Sequence, residues 1–204
     1  MAEAAEPTTR PFLAGAGEMA RACRDLDWRT TPLGAAECWP AVLKMLTPVL
    51  LASPQPMFMV WGESRSFLFN DAYLPVLGAR REGALGRGFF EVWPELAGDV
   101  GPLMQTAFGG QPMQMDDITL VLHRHGAPEE AHFAFSYTPI RDESGVVAGL
   151  LCVLNETTKE VFGRRRQQFR LDLEAKLRDL TDPAQIVRTA QAALGLYFGA
   201  SRVG

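Results

Sequence analysis

The sequence predicts an α+β fold in which five antiparallel strands form an open sheet with flanking helices. Two short apolar segments, residues 56–61 and 66–70, come first along the chain. Helical segments follow them, and three further strand-like segments lie between residues 118 and 154. An order of two strands, helices and three antiparallel strands is typical of a half-open sheet that curves around a small cavity.

Two helices are predicted before the sheet. The first has apolar residues at i, i+3, i+4 and i+7, namely Met19, Ala22, Cys23 and Leu26. The second is predicted to begin near Trp39, with Pro40 in its first turn, where a missing N–H costs nothing. Pro48 lies inside the apolar stripe of this second helix, so we expect it to kink the helix or to end it early.

Short helices are also predicted between the second and third strands. Asn70 or Asp71 is placed to cap a helix over residues 72–77, because either side chain can accept hydrogen bonds from free backbone N–H groups. Another helix is predicted over residues 100–108, where it would end at a pair of glycines.

The three later strands differ in their apolar patterns. Residues 118–123 alternate on one apolar face, and the next strand carries Phe133, Phe135 and Tyr137 on a single face. Residues 146–154 are apolar at nearly every position, so both faces of the last strand must be covered. One face would line the cavity, and either the N-terminal helices (residues 16–51) or a second subunit would cover the other.

Composition restricts the function classes. Residues 41–158 carry 13 acidic and seven basic side chains, which argues against a nucleic-acid partner. The N-terminus lacks the pattern of a signal peptide, and prolines interrupt the most apolar stretch, residues 45–61, so no membrane segment is predicted. The cysteines are Cys23, Cys38 and Cys152. Their odd number and wide spacing argue against a disulfide framework or a zinc site and favour a cytoplasmic location.

A predicted hairpin over residues 116–132 concentrates the residues that could carry chemistry. Its histidines are His123, His125 and His132, and its acidic pairs are Asp116-Asp117 and Glu129-Glu130. Three convergent imidazoles would bind Zn²⁺ or Cu²⁺, but we interpret them as solvated hairpin residues and predict no metal. The carboxylates are interpreted as solvated charges that discourage edge pairing. The alternative is a small-molecule-binding enzyme domain that uses this hairpin.

Aromatic residues dominate the predicted core, where they could line a ligand cavity or fill it completely. We favour a filled or nearly filled core. If a ligand binds, the candidate contacts are Phe58, Phe69, Tyr73, Trp93, Phe108, Phe133, Phe135, Ser136 and Tyr137. The polar members of this set are Tyr73, Ser136 and Tyr137. No nucleophile and base can be paired from the sequence, so no catalytic residue is predicted.

Five sequence blocks are informative in combination. They are Trp28-x-x-Thr31-Pro32-Leu33-Gly34, Cys38-Trp39-Pro40, Phe69-Asn70-Asp71-Ala72-Tyr73, Glu91-Val92-Trp93-Pro94-Glu95 and Phe135-Ser136-Tyr137-Thr138-Pro139-Ile140-Arg141-Asp142. Together they resemble the N-terminal PAS domain of bacterial hybrid or sensor histidine kinases over residues 12–162. Asn155, Glu156 and Thr157 are similar to the Asp-x-Thr junction that ends many PAS domains and starts the output helix, with Asn155 in place of the aspartate.

The resemblance implies a division of the chain into four parts. An N-terminal tail with cap helices would occupy residues 1–51, the PAS domain residues 52–158, and a linker helix residues 159–180. Residues 181–204 resemble the opening of a GAF domain. The chain is therefore expected to be truncated and to continue into GAF and kinase domains.

The function implied by the resemblance is sensory, without enzymatic activity in this segment. The chain would be the input and dimerisation module of a bacterial two-component signalling kinase, acting as a homodimer and responding either to a small-molecule ligand or to a change in a partner. A conformational change of the sheet would pass through Asn155, Glu156 and Thr157 into the linker helix. A cyclase or phosphodiesterase output is an alternative, because such inputs are attached to many outputs.

No cofactor is predicted within this resemblance. Photoactive flavin members of the family need a Gly-x-Asn-Cys-Arg motif, which the sequence lacks. Haem members take an axial histidine from the helix that corresponds to residues 100–110, which contains none. Met104 lies in that helix and is interpreted as a packing residue.

Overall fold

A computed structural model describes residues 10–198, which divide into two compact units, one ending at Thr157 and the other starting at Thr158. The first unit contains five strands: β1 (Met57–Trp61), β2 (Ser66–Phe69), β3 (Met113–Leu122), β4 (Glu129–Arg141) and β5 (Val147–Glu156). Its helices are α1 (Glu18–Asp25), α2 (Ala41–Ala52), α3 (Leu74–Leu77), α4 (Phe89–Val92) and α5 (Gly101–Phe108), with short 3₁₀ turns between them. No helix among residues 10–198 is long and apolar enough to cross a membrane.

The five strands form one antiparallel sheet in the order β2-β1-β5-β4-β3, which confirms the predicted fold class. β3 begins at Met113, earlier than the predicted Ile118. A bulge between Met115 and Ile118 shifts the pairing with β4 and interrupts the alternation of side chains. The alternating pattern visible in the sequence therefore covers only the part of β3 that follows the bulge.

The N-terminal segment covers the outer face of the sheet. Trp28 and Trp39 pack edge to face with ring centroids 4.6 Å apart, and the Trp28 indole donates a hydrogen bond of 2.7 Å to the Cys23 carbonyl. Leu43 and Leu50 of α2 are buried in the same apolar cluster. The sheet residues of that cluster are Met57, Met59, Trp61, Leu68 and Ile140. The outer face was predicted to be covered either by the N-terminal helices or by a second subunit, and the N-terminal helices cover it.

Pro48 does not end α2 early, which corrects that part of the expectation. The helix continues to Ala52 although Pro48 removes one backbone N–H from its interior. Thr47 donates its hydroxyl to the Leu43 carbonyl at 2.7 Å. Burial of Leu43 and Leu50 on either side of the proline stabilises the helix across this position, so tertiary packing overrides the local preference.

Asn70 is a buried polar residue that forms hydrogen bonds with four backbone groups. Its amide nitrogen donates to the carbonyls of Ser53 (3.1 Å) and Gln55 (2.7 Å). Its amide oxygen accepts from the backbone N–H groups of Met57 (3.1 Å) and Tyr73 (3.2 Å). The predicted cap at Asn70 is confirmed. Asp71 instead accepts hydrogen bonds from the backbone N–H groups at the start of α1.

The second unit is described by itself as two helices, α6 (Thr158–Leu177) and α7 (Pro183–Phe198). Within it Phe169 and Tyr197 stack with ring centroids 4.3 Å apart, and Ala193 is buried. Ion pairing along α6 includes Arg170 with Glu174. The predicted strand-like start of a further domain falls on residues 199–204, which lie outside the described residues.

We predict that Asn70→Ala lowers the free energy of unfolding by about 3 kcal/mol, because it leaves buried backbone donors and acceptors without partners. Urea denaturation of the 204-residue chain measures the change. Asn155→Ala, an exposed position on β5, is the matched control and should change stability by less than about 0.5 kcal/mol. Equal effects of the two substitutions would contradict the structural role assigned to Asn70.

Candidate functional site

The inner face of the sheet and the helical segments opposite it enclose a cavity of about 40 Å³. The sheet residues that line it are Phe58, Leu120, Leu122, Phe133, Phe135, Tyr137, Cys152 and Leu154. The residues that line it from the segments between β2 and β3 are Tyr73, Val76, Phe89, Trp93, Leu96 and Val100. Every one of these side chains is uncharged or held neutral, and most are apolar, so the site is suited to binding and not to acid–base chemistry.

Aromatic packing explains why the cavity is small. Phe58 stacks on Phe89 with ring centroids 5.2 Å apart, and it meets Phe67 and Tyr73 edge to face at 5.3 and 5.5 Å. Phe135 and Tyr137 are tilted against each other at 4.7 Å. These rings occupy most of the interior, in agreement with the predicted nearly filled core.

One buried polar group on the cavity wall lacks a partner among residues 10–198. The indole N–H of Trp93 makes no hydrogen bond there, although the residue is buried. A buried polar group without a partner costs about 1–3 kcal/mol, so this N–H is an energetically unusual feature of the cavity wall.

Burial keeps the titratable groups of the cavity neutral. It raises the pKa of Tyr73 well above its usual value, and the nearby Cys152 adds to the effect. The Trp93 N–H is close enough to the Tyr73 hydroxyl to lower that pKa slightly, without meeting hydrogen-bond geometry. Burial likewise raises the pKa values of Tyr137 and Cys152 well above their usual values.

The predicted ligand contacts divide between the cavity and other places. Those that line it are Phe58, Tyr73, Trp93, Phe133, Phe135 and Tyr137. Phe69 is buried beside Phe67, and Phe108 lies under the guanidinium of Arg65 at 5.6 Å, so neither is among the lining residues. Ser136 lies between two inward-facing residues of β4 and therefore faces the opposite side of the sheet, which corrects its assignment.

Several lining residues were not proposed as contacts from the sequence. Val76, Leu96 and Leu120 are ordinary apolar residues whose spacing does not distinguish a cavity wall from solid core. Cys152 was interpreted as a buried apolar residue, and it is buried. Its place opposite Tyr137 follows from the pairing of β4 with β5, a register that the sequence alone does not specify.

An ion pair between the buried Arg124 and the half-buried Glu156 connects the β3–β4 hairpin with the end of β5. The Arg124 guanidinium binds both carboxylate oxygens of Glu156 at 2.7 Å and also pairs with Glu129. These hydrogen bonds and charges raise the pKa of Arg124 further above its usual value. The second residue of the junction triplet, Glu156, therefore ties the end of β5 to the hairpin through a salt bridge.

The hairpin that carries Arg124 is also bonded to the turns around the cavity. The backbone N–H of Ala79 donates to the Arg124 carbonyl at 3.0 Å. Arg80 pairs with Glu95 at 2.9 Å, and Glu95 accepts a hydrogen bond from the backbone N–H of His123. The Arg80 guanidinium lies over the Trp93 ring, 4.8 Å from its centroid. The hairpin is thus held on one side by β5 and on the other by the segments that line the cavity.

The hairpin histidines do not form a metal site in the described part of the chain, where no group of three or more suitable ligands converges. His123 and His125 are exposed, as interpreted, but His132 is 2% exposed, which corrects the solvated interpretation for this residue. Its imidazole contacts Asp117 (3.1 Å) and Glu130 (2.8 Å).

The acidic pairs are likewise engaged and not simply solvated. Glu129 binds Arg124 and His125, while Asp117 and Glu130 contact His132. Among these four carboxylates, Asp116 comes closest to the predicted solvated state: it is exposed and accepts a hydrogen bond of 2.8 Å from the side chain of Gln114. None of these carboxylates or imidazoles lines the core cavity, so the requirement of the enzyme alternative is not met there.

A family profile described as the PAS fold matches residues 50–161, more than half of the chain. The chain therefore belongs to the PAS family, a family of sensory domains. This agrees with the open five-stranded sheet and the enclosed cavity described above.

Solved structures of similar fold include the PAS domain from Bordetella pertussis BvgS, which is 23% identical over 66% of this chain and 98% of that domain, with a TM-score of 0.48. The Rhodobacter sphaeroides LOV protein is 16% identical over 80% of this chain and 98% of its own, with a TM-score of 0.46. An RNA-binding light-oxygen-voltage receptor is 15% identical with a TM-score of 0.47, and the match covers 72% of this chain but 42% of the receptor.

We predict that the stabilising contribution of Glu129 is lost in acid. Burial opposes its ionisation, but hydrogen bonds from His125 and Arg124 outweigh this effect and hold the pKa of Glu129 below its usual value. A carboxylate with a lowered folded pKa stabilises the fold above its unfolded pKa of about 4.3, and this stabilisation disappears as pH falls through the lower folded pKa.

Urea midpoints at pH 6 and pH 3.5 test this prediction. The Glu129→Gln variant should lose less stability on acidification than the unsubstituted chain. The exposed Glu82→Gln is the matched control and should lose as much as the unsubstituted chain. An acid response of Glu129→Gln identical to that of the control would contradict the prediction.

Proposed function

We propose that this chain is the sensory input and dimerisation module of a bacterial two-component signalling kinase, with GAF and kinase domains following it in the parent protein. The segment itself acts without enzymatic activity and without a bound flavin, haem or metal, in the cytoplasm. A change at the cavity moves the sheet, and the movement passes through residues 155–157 into α6. The observation that carries this proposal is the bidentate pairing of the buried Arg124 with Glu156 at the end of β5.

Position along the strands supports this relay. Leu122 and Leu154 line the cavity, and each lies two residues before a member of the ion pair, Arg124 or Glu156. Displacement of either cavity residue is therefore transmitted over two residues to the ion pair. The charge of Arg124 also reaches the cavity, since burial, the dominant cause, raises the pKa of Tyr73 and Arg124 acts in the opposite direction.

The end of β5 adds a second connection to the hairpin. The backbone N–H of Thr157 donates to the His132 carbonyl at 2.8 Å, one residue before α6 begins. Any shift of β4 relative to β5 thus changes the position of the residue from which the helix starts. A two-state shift of this kind would bias a downstream domain. A cyclase or phosphodiesterase output could be driven through the same connection.

Dimerisation is proposed through the N-terminal helices, since these helices themselves cover the outer face of the sheet that was also expected to take part. Met45 and Val49, one helical turn apart on α2, are 70% and 58% exposed although they belong to an apolar helix. Side chains of this type at adjacent turns form a suitable apolar stripe for a second copy of the chain.

We predict that Glu156→Gln changes the autophosphorylation rate of the parent kinase several-fold, because it removes the charge that holds Arg124 against β5. Thr157→Ala keeps its backbone hydrogen bond to His132 and should also change the rate while the fold remains intact. Glu82→Gln is the surface control and should leave the rate unchanged. Unaltered output in both junction variants, with folding verified by circular dichroism, would refute the relay.

We predict that Met45→Lys with Val49→Lys weakens self-association at least tenfold, because it places two like charges on the proposed apolar contact. Native mass spectrometry over a concentration series measures the dimer fraction of the 204-residue chain. Val146→Lys, which alters another exposed valine, is the matched control and should dimerise normally. A double variant that remains as dimeric as the control would exclude α2 from the interface.

A further inference from the structure

We propose that His132 is a proton-responsive switch whose ring nitrogen Nδ1 changes partner between Asp117 and Thr119. The protonated ring holds Asp117, and the neutral ring accepts a hydrogen bond from Thr119 instead. The biological meaning of this switch rests on the sensory function proposed above, which it deepens by naming proton concentration as an input. Three observations carry the inference: carboxylates at both ring nitrogens, a second partner for one of them, and the place of His132 between the β3 bulge and the end of β5.

Both ring nitrogens of His132 contact carboxylate oxygens. Nε2 lies 2.8 Å from Glu130, and Nδ1 lies 3.1 Å from Asp117. An ionised carboxylate only accepts hydrogen bonds, so each of these contacts needs an N–H on the ring. A neutral imidazole carries one N–H and the imidazolium carries two. Only the protonated ring can therefore bind Asp117 and Glu130 at the same time.

Thr119 offers Nδ1 a different partner when the ring is neutral. Thr119 is paired directly with His132 across β3 and β4, and its hydroxyl lies 3.3 Å from Nδ1. A hydroxyl can donate as well as accept. With the remaining proton on Nε2, the ring keeps its hydrogen bond to Glu130 while Nδ1 accepts from Thr119. Each protonation state thus has partners for both nitrogens, and the added proton decides whether Asp117 is held.

The ring is 2% exposed, so these side chains and not bulk water supply its hydrogen bonds. The carboxylates that contact it within the first unit are Asp117 from β3 and Glu130 from β4. Asp116, the neighbouring charge on β3, is exposed. The charged residue of β5 at this level, Glu156, is bound to Arg124. Asp117 is therefore the charge whose contact with the ring depends on the second N–H.

The backbone around His132 converts this change of partner into a structural change. Asp117 lies in the β3 bulge between Met115 and Ile118, where pairing with β4 is interrupted. Because bulge residues lack regular ladder partners, the contact with His132 supplies a connection between the bulge and β4. The carbonyl of His132 accepts a hydrogen bond of 2.8 Å from the backbone N–H of Thr157. Acidification thus fastens the bulge to the strand position that holds the start of α6, and deprotonation releases it.

Titration of the ring nitrogens in variants of the 204-residue chain tests the switch. The His132 signals are followed by ¹H–¹⁵N NMR from about pH 5 to pH 8, the range in which imidazoles ordinarily titrate, and are assigned by their loss in His132→Gln. Asp117→Asn should lower the proton affinity of the ring about three- to tenfold, because it removes a charge that favours the imidazolium. Thr119→Val should raise it about two- to fivefold, because the neutral ring loses a hydrogen bond.

Asp116→Asn is the matched control, since it removes the adjacent exposed carboxylate, and it should change the proton affinity by less than about twofold. His123 and His125 are internal controls, because their carboxylate contacts are with Glu95 and Glu129. Their titrations should be the same in all variants. The backbone N–H signal of Thr157 should shift with the same midpoint as the His132 ring and should follow that midpoint in each variant.

Three results would overturn the switch. The first is a His132 ring that keeps one protonation state throughout the range. The second is an equal effect of Asp117→Asn and Asp116→Asn, or a Thr119→Val effect in the same direction as that of Asp117→Asn. The third is a Thr157 signal that ignores the titration of the ring, because the proton would then not be felt where α6 begins.

Failure of the switch and failure of the proposed relay are distinguishable, because the NMR titration does not depend on kinase output. A ring that titrates as expected, with unaltered autophosphorylation in Glu156→Gln and Thr157→Ala, would refute the relay and leave the switch standing. Altered autophosphorylation in those variants with a ring that does not titrate would have the opposite meaning. If both proposals hold, Asp117→Asn displaces the pH dependence of autophosphorylation towards lower pH, by the shift measured for the ring.

Discussion

Two of the three interior strands of the sheet, β1 and β5, are apolar on both faces, and the rest of the first unit depends on this constraint. Phe58 and Val60 of β1 face the core, while Met57, Met59 and Trp61 face the N-terminal segment. β5 presents Cys152 and Leu154 to the core and Leu151 and Val153 to the opposite side. Two separate apolar layers are therefore needed to keep the sheet out of water. The helices before β1 supply one layer, and the segments between β2 and β3 supply the other.

At the end of the sheet near the β3–β4 hairpin, the apolar layer on the core side is followed by charged residues. Leu122 and Leu154 close the cavity at the hairpin end, and the Arg124–Glu156 pair follows directly. A buried ion pair gives little net stability, because desolvation offsets much of its attraction, but loss of one partner is costly. Such a pair suits a position at which two segments must move together. Sensing and relay are thus proposed for adjacent parts of one continuous structure.

Departures from the sequence-based predictions arise where tertiary contacts outweigh local preference. Pro48 remains inside α2 because residues on either side of it are buried against the sheet. The predicted start of β3 was too late, because the bulge interrupts the alternation of apolar residues on which the prediction relied. His132 lies in a polar-looking hairpin sequence, yet the sheet buries it. Ser136 is adjacent in sequence to two cavity residues and lies on the other face.

The order of the strands along the chain, a helix cap at Asn70 or Asp71, the double-faced burial of β5 and membership of the PAS family can be read from the sequence, because they depend on local composition and spacing. Tertiary structure alone decided which residues meet across the sheet. The pairing of β4 with β5 places Cys152 opposite Tyr137, and chain folding brings Arg124 to Glu156. Register and long-range ion pairing depend on contacts between residues far apart in sequence, and no local pattern encodes them. The same reason explains why the unpaired indole N–H of Trp93 could be recognised only in three dimensions.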